Sequence, residues 1–598
     1  MEVKITASSE KNAQIVIALL KKHGINQIIA SPGTTNIPIV GSVQNDPFFT
    51  VFSSVDERSA AYMACGLARE SGKPVVLTCT GATASRNYLP GLTEAYYSKI
   101  PIIALTSLND LQDVGNLKPQ NIDRSQLPND VVKMSVNLPV VNSSQDYWFV
   151  NHQVNRAFLE TTRHGGGPVH INLNTNYMAT FTTKELPNVN YVQRFFSHNQ
   201  ELPQIPENSK IGIFIGRHKK FTKEEEHLID KFCEQHNGAV FGDRTNGYSG
   251  KYLLNSSLGG VNLTRKHAKF SSYAPTLTIH LGEVTGDYSS MDTFNKSNGP
   301  VWRVSEDGEL RDTFKRLSYV FEMKESVFFS NYIGEHCDTK NISFFETWRK
   351  YISSLRNSIP ELPFANSWIA QKTIPEIPKN SFINFGILNS LRNWNFYPMD
   401  LSIQVESNVG GFGIDGLLST TLGASLVDKK KLYFVVLGDL AFFYDVNSLG
   451  NRHLGKNIRI LLINNGTGTE FRNSSHIGSQ FGEQSDQFIA AGGHFQQKFN
   501  SSVKGQSLAQ AWATTIGFKY YSAKSKDEYL NILPNFMESD TDTPILVEVF
   551  TTPKDESDSL EKMVSLDKEY SLKGKAYNFS ERILPKESLK KIRRNLKN

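Results

Sequence analysis

The hydrophobic pattern divides the chain into short apolar segments that alternate with segments of helical periodicity. The clearest apolar segments span 432–437 and 458–463, and a helical pattern lies between them. Their length and their content of β-branched and aromatic residues are typical of strands buried on both faces of a parallel sheet. Strands that alternate with helices predict a doubly wound parallel sheet.

The same alternation recurs along three stretches of the chain, which polar, proline-bearing segments separate. The other predicted strands are 27–30, 74–79, 101–106, 211–215, 239–241, 277–281, 301–304 and 545–549. The pattern therefore predicts an α/β protein with three doubly wound domains and a charged C-terminal extension. The predicted boundaries are 1–185, 195–358, 362–552 and, for the extension, 553–598.

Composition narrows the class of protein without naming its chemistry. With 39% hydrophobic and 21% charged residues, the 598-residue chain is typical of soluble globular proteins. It has no apolar run near the roughly 18 residues of a membrane span and no apolar N-terminal core of a secretion signal. Four scattered cysteines fit a reducing compartment, and we expect a cytoplasmic protein. The net charge of +5 gives no reason to propose nucleic acid.

Two polar residues follow the two clearest predicted strands. Asp439 comes directly after the first strand, and Asn465 follows the second. Because parallel strands end at the same edge of a sheet, where α/β sheets bind ligands, we expect the two side chains to lie close together. Their oxygens suit Mg²⁺ or Ca²⁺ rather than zinc. Taken alone, each residue could equally serve as a strand-end or helix-cap residue.

The spacing of this pair resembles the signature of thiamine diphosphate (ThDP) enzymes. In that family, a Gly-Asp at one strand end is followed about 26 positions later by an Asn-Asn at the next. The resemblance implies that Asp439, Asn465 and the backbone carbonyl of Thr467 hold Mg²⁺ on the diphosphate of ThDP. The resemblance also assigns Gly438, Leu440 and Ala441 to cofactor binding.

A second part of the resemblance lies near the N-terminus, where Glu57 precedes a helix of small residues. A carboxylate at a helix start usually makes only a favourable dipole contact. The resemblance implies instead that Glu57 hydrogen-bonds the cofactor pyrimidine and so favours the tautomer that activates the thiazolium carbon. The three domains then correspond to pyrimidine-binding, middle and diphosphate-binding domains. Because family members place the two halves on opposite subunits, the resemblance implies a homodimer or homotetramer, with no nucleic-acid or membrane partner.

Three longer segments, 31–38, 56–106 and 410–425, narrow the resemblance to the MenD family of ThDP enzymes. That family decarboxylates 2-oxoglutarate and adds the remaining four-carbon unit to isochorismate. Gly413 and Ile414 match the residues that support the bent cofactor. The candidate substrate-side residues are Thr34, Thr35, Arg86, Gln120, Arg392, Glu470, Phe471 and Arg472.

Several cations of the family pattern are missing. The positions where a family arginine or lysine is expected hold Thr35, Asn109, Asp287, Tyr288 and Val409. Glu470 replaces an apolar residue. Each charged hydrogen bond lost would cost an anionic substrate roughly 1.5–3 kcal/mol. We therefore predict a ThDP- and Mg²⁺-dependent decarboxylase and carboligase for a smaller or less anionic 2-oxo acid and an unidentified acceptor.

Three alternatives remain open on the sequence. The first is a simple 2-oxo acid decarboxylase that releases an aldehyde, and the second is the MenD reaction itself. The third belongs to another class of protein, one that binds ThDP without turnover. Glu57, Asp439 and Asn465 occur together, which favours an enzyme over this third alternative.

Overall fold

The structure, a computed structural model, describes most of the chain. The described residues are 6–108, 113–175, 179–191, 202–263, 270–308, 311–334, 341–474, 476–496 and 505–567. Their strands form three sheets of six strands each, and the strand pairs within these sheets are parallel. The predicted architecture of three doubly wound α/β units is therefore confirmed.

The first sheet has the strand order β2-β1-β3-β4-β6-β5. Its strands are β1 (Gln27–Ala30), β2 (Thr50–Ser53), β3 (Val75–Cys79), β4 (Ile102–Leu108), β5 (Met134–Leu138) and β6 (Val169–Asn174). Its helices are α1 (Lys11–Lys22), α2 (Ile37–Val43), α3 (Glu57–Ser71), α4 (Thr83–Asn87), α5 (Leu89–Tyr97) and α6 (Ser144–Glu160). Every residue of the central strands β3 and β4 is buried, as their unbroken apolar runs predict.

The second sheet has a different order, β12-β11-β10-β7-β8-β9. Its strands are β7 (Ile211–Ile215), β8 (Gly238–Gly242), β9 (Leu253–Asn255), β10 (Leu277–Leu281), β11 (Val301–Val304) and β12 (Leu317–Phe321). Its helices are α7 (Lys223–Gln235), α8 (Ser257–Asn262), α9 (Phe270–Tyr273), α10 (Tyr288–Lys296), α11 (Glu325–Tyr332) and α12 (Ser343–Asn357). This unit buries its own apolar core.

The third sheet repeats the connectivity of the first, with the order β14-β13-β15-β16-β18-β17. Its strands are β13 (Phe382–Phe385), β14 (Gln404–Ser407), β15 (Tyr433–Gly438), β16 (Ile458–Asn464), β17 (Lys519–Ala523) and β18 (Ile545–Phe550). Its helices are α13 (Asn366–Thr373), α14 (Asn389–Trp394), α15 (Leu417–Ser425), α16 (Asp439–Tyr444), α17 (Leu508–Thr515), α18 (Lys526–Met537) and α19 (Pro553–Met563). Strand order reverses between β13 and β15, which is where such sheets open a ligand crevice.

The start of the predicted C-terminal extension is part of the folded core. Helix α19 packs against α13, and Met563 is fully buried. The backbone of Leu566 donates to Asn262 on α8 in the second unit. The sequence is rich in charged residues here because the outer face of the helix is polar. Its inner face is apolar. The rest of the extension, 568–598, lies outside the described residues.

The first and third units join through a close crossing of α3 and α15. Gly66 on α3 lies against the carbonyl of Thr420, and Gly423 on α15 lies against the carbonyl of Met63. A Cβ at either glycine would overlap the opposite backbone. Helices approach this closely only where small residues face each other, which explains the small-residue composition of both segments.

A buried ionic cluster ties all three units together. Arg69 of the first unit pairs with Glu94 and hydrogen-bonds Asn408 of the third. Arg217 of the second unit donates to Glu406 of the third at 3.2 Å and to the carbonyl of Ser98 at 3.1 Å. Because a buried charge is costly without partners, these interactions fix how the units sit relative to one another.

Two further observations concern the whole chain. Among the described residues, no helix is both long enough and apolar enough to cross a membrane. Cys65, Cys79 and Cys233 are free thiols buried in the interior, as their scattered positions predict, whereas Cys337 lies outside the described residues.

Candidate active site

The first half of the site lies at the carboxyl edge of the third sheet. Strands β15 and β16 pair in parallel with Gly438 opposite Ile463, so Asp439 and Asn465 emerge from adjacent strand ends. Both residues therefore lie at the carboxyl edge of the sheet, near the point where the strand order reverses. Gly438 caps α16 in an extended conformation, and Asp439 is the first residue of that helix.

Asp439 is a buried carboxylate, only 5% exposed. Burial raises its pKa to about 6, and this effect is opposed by the backbone amides of Leu440 and Gly466. Glu548 adds a smaller repulsion in the same direction as burial. A buried acid in this state gains most from a bound cation, because the cation supplies the charge that burial removes.

The other oxygen donors of this half lie in the turn after β16. Asn465 Oδ1 accepts the backbone amide of Thr467 at 3.3 Å. Thr467 is itself anchored, since its hydroxyl donates to Asp486 Oδ1 at 2.9 Å and to the carbonyl of Ala490 at 3.0 Å. Gly466 has a φ of +74°, which favours glycine and turns the chain back toward Asp439. The carboxylate and amide oxygens of this half fit a hard cation such as Mg²⁺.

The segment before α15 forms an exposed apolar ledge. Ile414 is 39% exposed although it is large and aliphatic, and Gly413 beside it has no room for a side chain because of Asp415. Asp415 Oδ2 accepts the hydroxyl of Tyr62 on α3 at 2.9 Å, which fixes the turn against the first unit. Phe412 lies on the same ledge, with its ring 5.7 Å from that of Tyr288 in the second unit. An apolar ledge of this kind can support a ring system.

The second half of the site lies at the N-terminus of α3. Asp56 caps this helix by accepting the amides of Arg58 and Ser59. Glu57, the first helical residue, is half-buried, and its Oε2 accepts from the side chain of Asn87 at 3.3 Å. The cap and the helix dipole both favour a carboxylate at this position.

Within one chain, the start of α3 contacts the C-terminal end of α16, whereas Asp439 is at the N-terminal end of that helix. Among the described residues, the start of α3 is hydrogen-bonded to residues 444–447. These residues lie at or just after the C-terminal end of α16. Arg58 donates to the carbonyl of Tyr444 at 2.8 Å, and Asn447 donates to Asp56. Glu57 instead bonds within its own unit.

Arg392, a predicted substrate-side residue, is already paired. It donates two hydrogen bonds of 2.9 Å to the two carboxylate oxygens of Glu470, and Asn473 donates to the same carboxylate. Arg472 likewise donates to Asp486 at 2.7 Å. Phe471, between the two paired residues, is 36% exposed and lies edge-on to His476. This part of the site is therefore polar and aromatic but has little net positive charge.

The first unit supplies the other predicted substrate-side residues. Thr34 is exposed, whereas Thr35 is buried and hydrogen-bonds Thr80 at 2.7 Å and the carbonyl of Ser107 at 2.9 Å. Arg86 is exposed and donates to the carbonyl of Asp123. Gln120 is exposed in a left-handed conformation, with a φ of +66°. Thr34, Thr35 and Gln120 lie in loops that follow strands of the first sheet, and Arg86 lies in α4, which follows β3.

Two positions where the family pattern has cations serve the packing instead. Asp287 is buried and caps α10, accepting from Ser257 and from the amide of Ser290. Val409 is fully buried in the apolar core of the third unit. Neither side chain therefore contributes a positive charge to a pocket. Tyr288 is exposed, with its ring near that of Phe412, and Asn109 lies outside the described residues.

The pattern along the chain gave no signal for one further residue, Arg124. It lies in the loop between β4 and β5, yet its side chain is only 3% exposed. An arginine in a polar loop is ordinary in a sequence, so only its burial distinguishes it.

Comparisons with known proteins agree with this geometry. Residues 10–127 match the family described as "Thiamine pyrophosphate enzyme, N-terminal TPP binding domain". The 2-succinyl-5-enolpyruvyl-6-hydroxy-3-cyclohexene-1-carboxylate synthase of Bacteroides fragilis is 30% identical over 561 residues, which cover 91% of this chain and 96% of the relative. The synthases of Bacteroides thetaiotaomicron (30%, covering 91% and 96%) and Flavobacterium johnsoniae (28%, covering 92% and 97%) are similar along almost their whole lengths.

The similarity covers 91% of the chain, so it is not confined to one motif. It identifies an enzyme of the ThDP-dependent decarboxylase and transferase type. On these grounds the chain belongs to the 2-succinyl-5-enolpyruvyl-6-hydroxy-3-cyclohexene-1-carboxylate synthase (MenD) family of thiamine diphosphate enzymes.

Proposed function

We propose that this enzyme, with ThDP and Mg²⁺ bound, decarboxylates a 2-oxo acid and transfers the resulting acyl-anion unit to an acceptor less anionic than that of its relatives. The observation that carries the ThDP chemistry is the buried carboxylate of Asp439 beside Asn465 at adjacent strand ends. Bound ThDP supplies the electron sink that makes loss of CO₂ feasible.

The residues of the third unit would hold the metal and the diphosphate. Asp439, Asn465 and the carbonyl of Thr467 would bind Mg²⁺, and Gly438, Leu440 and Ala441 would line the diphosphate at the start of α16. A helix N-terminus presents free amides and a partial positive charge, which favours a phosphate group. We assign this unit, 362–552, as the diphosphate-binding domain, with 1–185 as the pyrimidine-binding and 195–358 as the middle domain.

Glu57 would hold the proton on a pyrimidine nitrogen of the cofactor. A carboxylate that shares a proton with a ring nitrogen forms a charge-assisted hydrogen bond, which is strongest where water is excluded. Asn87, which donates to Glu57 Oε2, would orient this carboxylate. Ile414 and Gly413 would support the cofactor from the diphosphate-binding domain of the other subunit.

The proposed site is shared between two subunits of a homodimer or homotetramer, and two observations support this arrangement. In one chain, Glu57 bonds within its own unit and Asp439 lies at the far end of α16 from the start of α3. Large apolar side chains stand exposed around the diphosphate half, among them Phe488, which is 90% exposed, and Ile477. Such residues usually mark a surface that another chain covers.

The charges around Arg392 support a less anionic acceptor. Glu470 and Asp486 accept from Arg392 and Arg472, so a substrate carboxylate would have to displace an internal carboxylate to reach either guanidinium. The second candidate function is the synthase reaction that the relatives are named for, whose product carries several acidic groups. The similarity over 91% of the chain favours it.

The test incubates the purified protein with ThDP, Mg²⁺ and a panel of 2-oxo acids, and measures CO₂ release. We expect turnover of at least one acid, and loss of turnover by roughly 100-fold or more in Glu57→Gln with ThDP affinity nearly unchanged. Glu70→Gln, on the same helix but paired with Lys431, is the matched control and should remain active. An enzyme that binds ThDP but turns over no 2-oxo acid would contradict the proposal, and rapid product formation from isochorismate and 2-oxoglutarate would favour the second candidate.

A further inference from the structure

Arg124 is a buried arginine whose charge has no counterion in the described part of the chain. Its side chain is 3% exposed, and its Nη1 and Nη2 atoms are buried without a hydrogen-bond partner among the described residues. Two other buried arginines have partners: Arg69 pairs with Glu94, and Arg459 donates to the backbone carbonyls of Lys456 and Ile458. A buried guanidinium with unused donors is costly unless a ligand supplies the missing anion.

The guanidinium of Arg124 lies at the carboxyl edge of the first sheet. Gly81 lies just after β3. A Cβ placed on Gly81 would lie 3.4 Å from the Arg124 guanidinium and 3.2 Å from the carbonyl oxygen of Ser107. The Oγ of Ser107 on β4 is also buried without a partner among the described residues. Unpaired donors therefore converge at the edge of a parallel sheet, where ligands bind.

This cluster adjoins Glu57. The thiol of Cys79 at the end of β3 responds to both groups, since Glu57 raises its pKa and Arg124 lowers it, although burial dominates. Thr35 is attached to the same edge through the carbonyl of Ser107. The geometry agrees, because Arg86 and Asn87 are neighbours on α4: Arg86 donates to the carbonyl of Asp123, next to Arg124, and Asn87 donates to Glu57.

Within the described ranges, no carboxylate pairs with Arg124. Burial lowers the pKa of Arg124 to about 10, and Arg86 lowers it further, but the group remains protonated at neutral pH. His170, close to both arginines, is held neutral because burial lowers its pKa to about 3. The pocket therefore retains one buried positive charge.

We propose that Arg124 binds a carboxylate of the 2-oxo acid donor, and specifically a second carboxylate that stays on the transferred unit. This inference rests on the proposed function. A cation bound to the carboxylate that leaves as CO₂ would stabilise the substrate more than the transition state and would slow the reaction. A distal carboxylate keeps its charge throughout, so binding it orients the donor without opposing decarboxylation.

The assignment also explains the loss of the arginine that the family pattern has at position 35. Thr35 is short and is held by Thr80 and Ser107, so it leaves the edge of the sheet to a guanidinium from another loop. The donor side of the pocket would then keep one cation, while the cations around Arg392 are neutralised. The donor would be a dicarboxylic 2-oxo acid, in contrast to the smaller or less anionic acid expected from the sequence, and the acceptor a less anionic molecule.

The experiment compares 2-oxoglutarate with 2-oxopentanoate, which has the same chain length but no distal carboxylate. With ThDP and Mg²⁺ bound, we expect the wild type to prefer 2-oxoglutarate in kcat/KM for CO₂ release. Arg124→Met should reduce that preference by about 20- to 100-fold, the effect of losing a charged hydrogen bond. Arg124→Lys, which keeps the charge, should retain part of the preference. Arg156→Met, an exposed arginine of the same unit, is the matched control and should leave it unchanged.

A binding measurement makes the test independent of turnover. Glutarate, which cannot be decarboxylated by this route, should raise the Tm of the ThDP-loaded wild type more than butyrate does, and should lose this advantage in Arg124→Met. An unchanged donor preference in a folded Arg124→Met protein would overturn the inference, as would an equal loss on both donors. Failure of every 2-oxo acid to react would instead overturn the proposed function.

Discussion

Arg392 and Glu470, 78 positions apart in the sequence, form a two-point ion pair in which two nitrogens of the guanidinium donate to the two carboxylate oxygens at 2.9 Å. This fork geometry is the one in which arginine binds a substrate carboxylate. If Arg392 is a substrate-side residue, as proposed, the protein places its own carboxylate where an acidic substrate group would otherwise bind. Replacing an apolar residue by Glu470 changes the charge of the site and also occupies its arginine.

Substituting Glu470→Leu should release Arg392 for an acidic acceptor. We expect kcat/KM for isochorismate, with 2-oxoglutarate as donor, to rise by about 10- to 100-fold, since the freed guanidinium gains charged hydrogen bonds to the substrate. Glu483→Leu, an exposed glutamate of the same segment, should produce no gain. Tm values will separate a folded variant from a damaged one. No gain in folded Glu470→Leu and Glu470→Gln proteins would show that the pair does not select the acceptor.

Removing the metal-binding oxygens should weaken cofactor binding. In Asp439→Asn and Asn465→Leu, we expect the Kd for ThDP in the presence of Mg²⁺ to rise by at least about 10-fold, the lower end of losses seen when partners of metal ligands are removed. Chelation of Mg²⁺ should raise the Kd of the wild type for ThDP, measured by calorimetric titration, to a value close to that of the variants. Asp428→Asn, in an exposed turn before β15, serves as the control. Equal ThDP affinity in all proteins would place the metal elsewhere.

The contact of α3 with α15 should be intolerant of one methyl group. Gly66→Ala would place a Cβ onto the carbonyl of Thr420, and overpacking of this kind costs about 1–3 kcal/mol. We expect the Tm to fall by a few degrees and ThDP affinity to fall with it, because the crossing joins the units that carry the site. Gly450→Ala, where no atom lies within 4 Å of the new Cβ, should retain the wild-type Tm. If both variants melt together, close helix packing does not limit stability.

Glu556 should make stability depend on pH. Burial raises the pKa of this α19 carboxyl from 4.5 to about 7, so the folded state holds its proton more tightly than the unfolded state. Its contribution to stability is complete below about pH 4.5 and is lost as pH rises through about 7. At about 1.4 kcal/mol per pKa unit, the loss is of the order of 3 kcal/mol.

The comparison that isolates this effect is Glu556→Gln, which cannot ionise. The free energy of unfolding of the wild type relative to this variant should fall between pH 5 and pH 8. Glu561→Gln, exposed on the same helix, should track the wild type at both values. A difference between wild type and Glu556→Gln that is independent of pH would contradict the assignment.

The sequence predicted fully buried strands better than partly exposed ones. Strands β7, β10 and β11 have the predicted bounds, because strands buried on both faces leave unbroken apolar runs. Edge strands such as β12 were not predicted, since Leu317–Phe321 is partly exposed and mixes polar with apolar residues. Helix α13 was not predicted either, because its apolar residues pack on α19, which is distant in sequence.

The sequence by itself determined the α/β class, the positions of Asp439 and Asn465 at strand ends, and the resemblance of the Glu57 segment to a cofactor-binding helix. These features are local, since each depends on a run of apolar residues and the few residues that follow it. Only the tertiary structure showed that Glu470 occupies Arg392 and that Arg124 is buried without a counterion among the described residues. The strength of a charge depends on its burial and on its partners in space, and the chain order specifies neither.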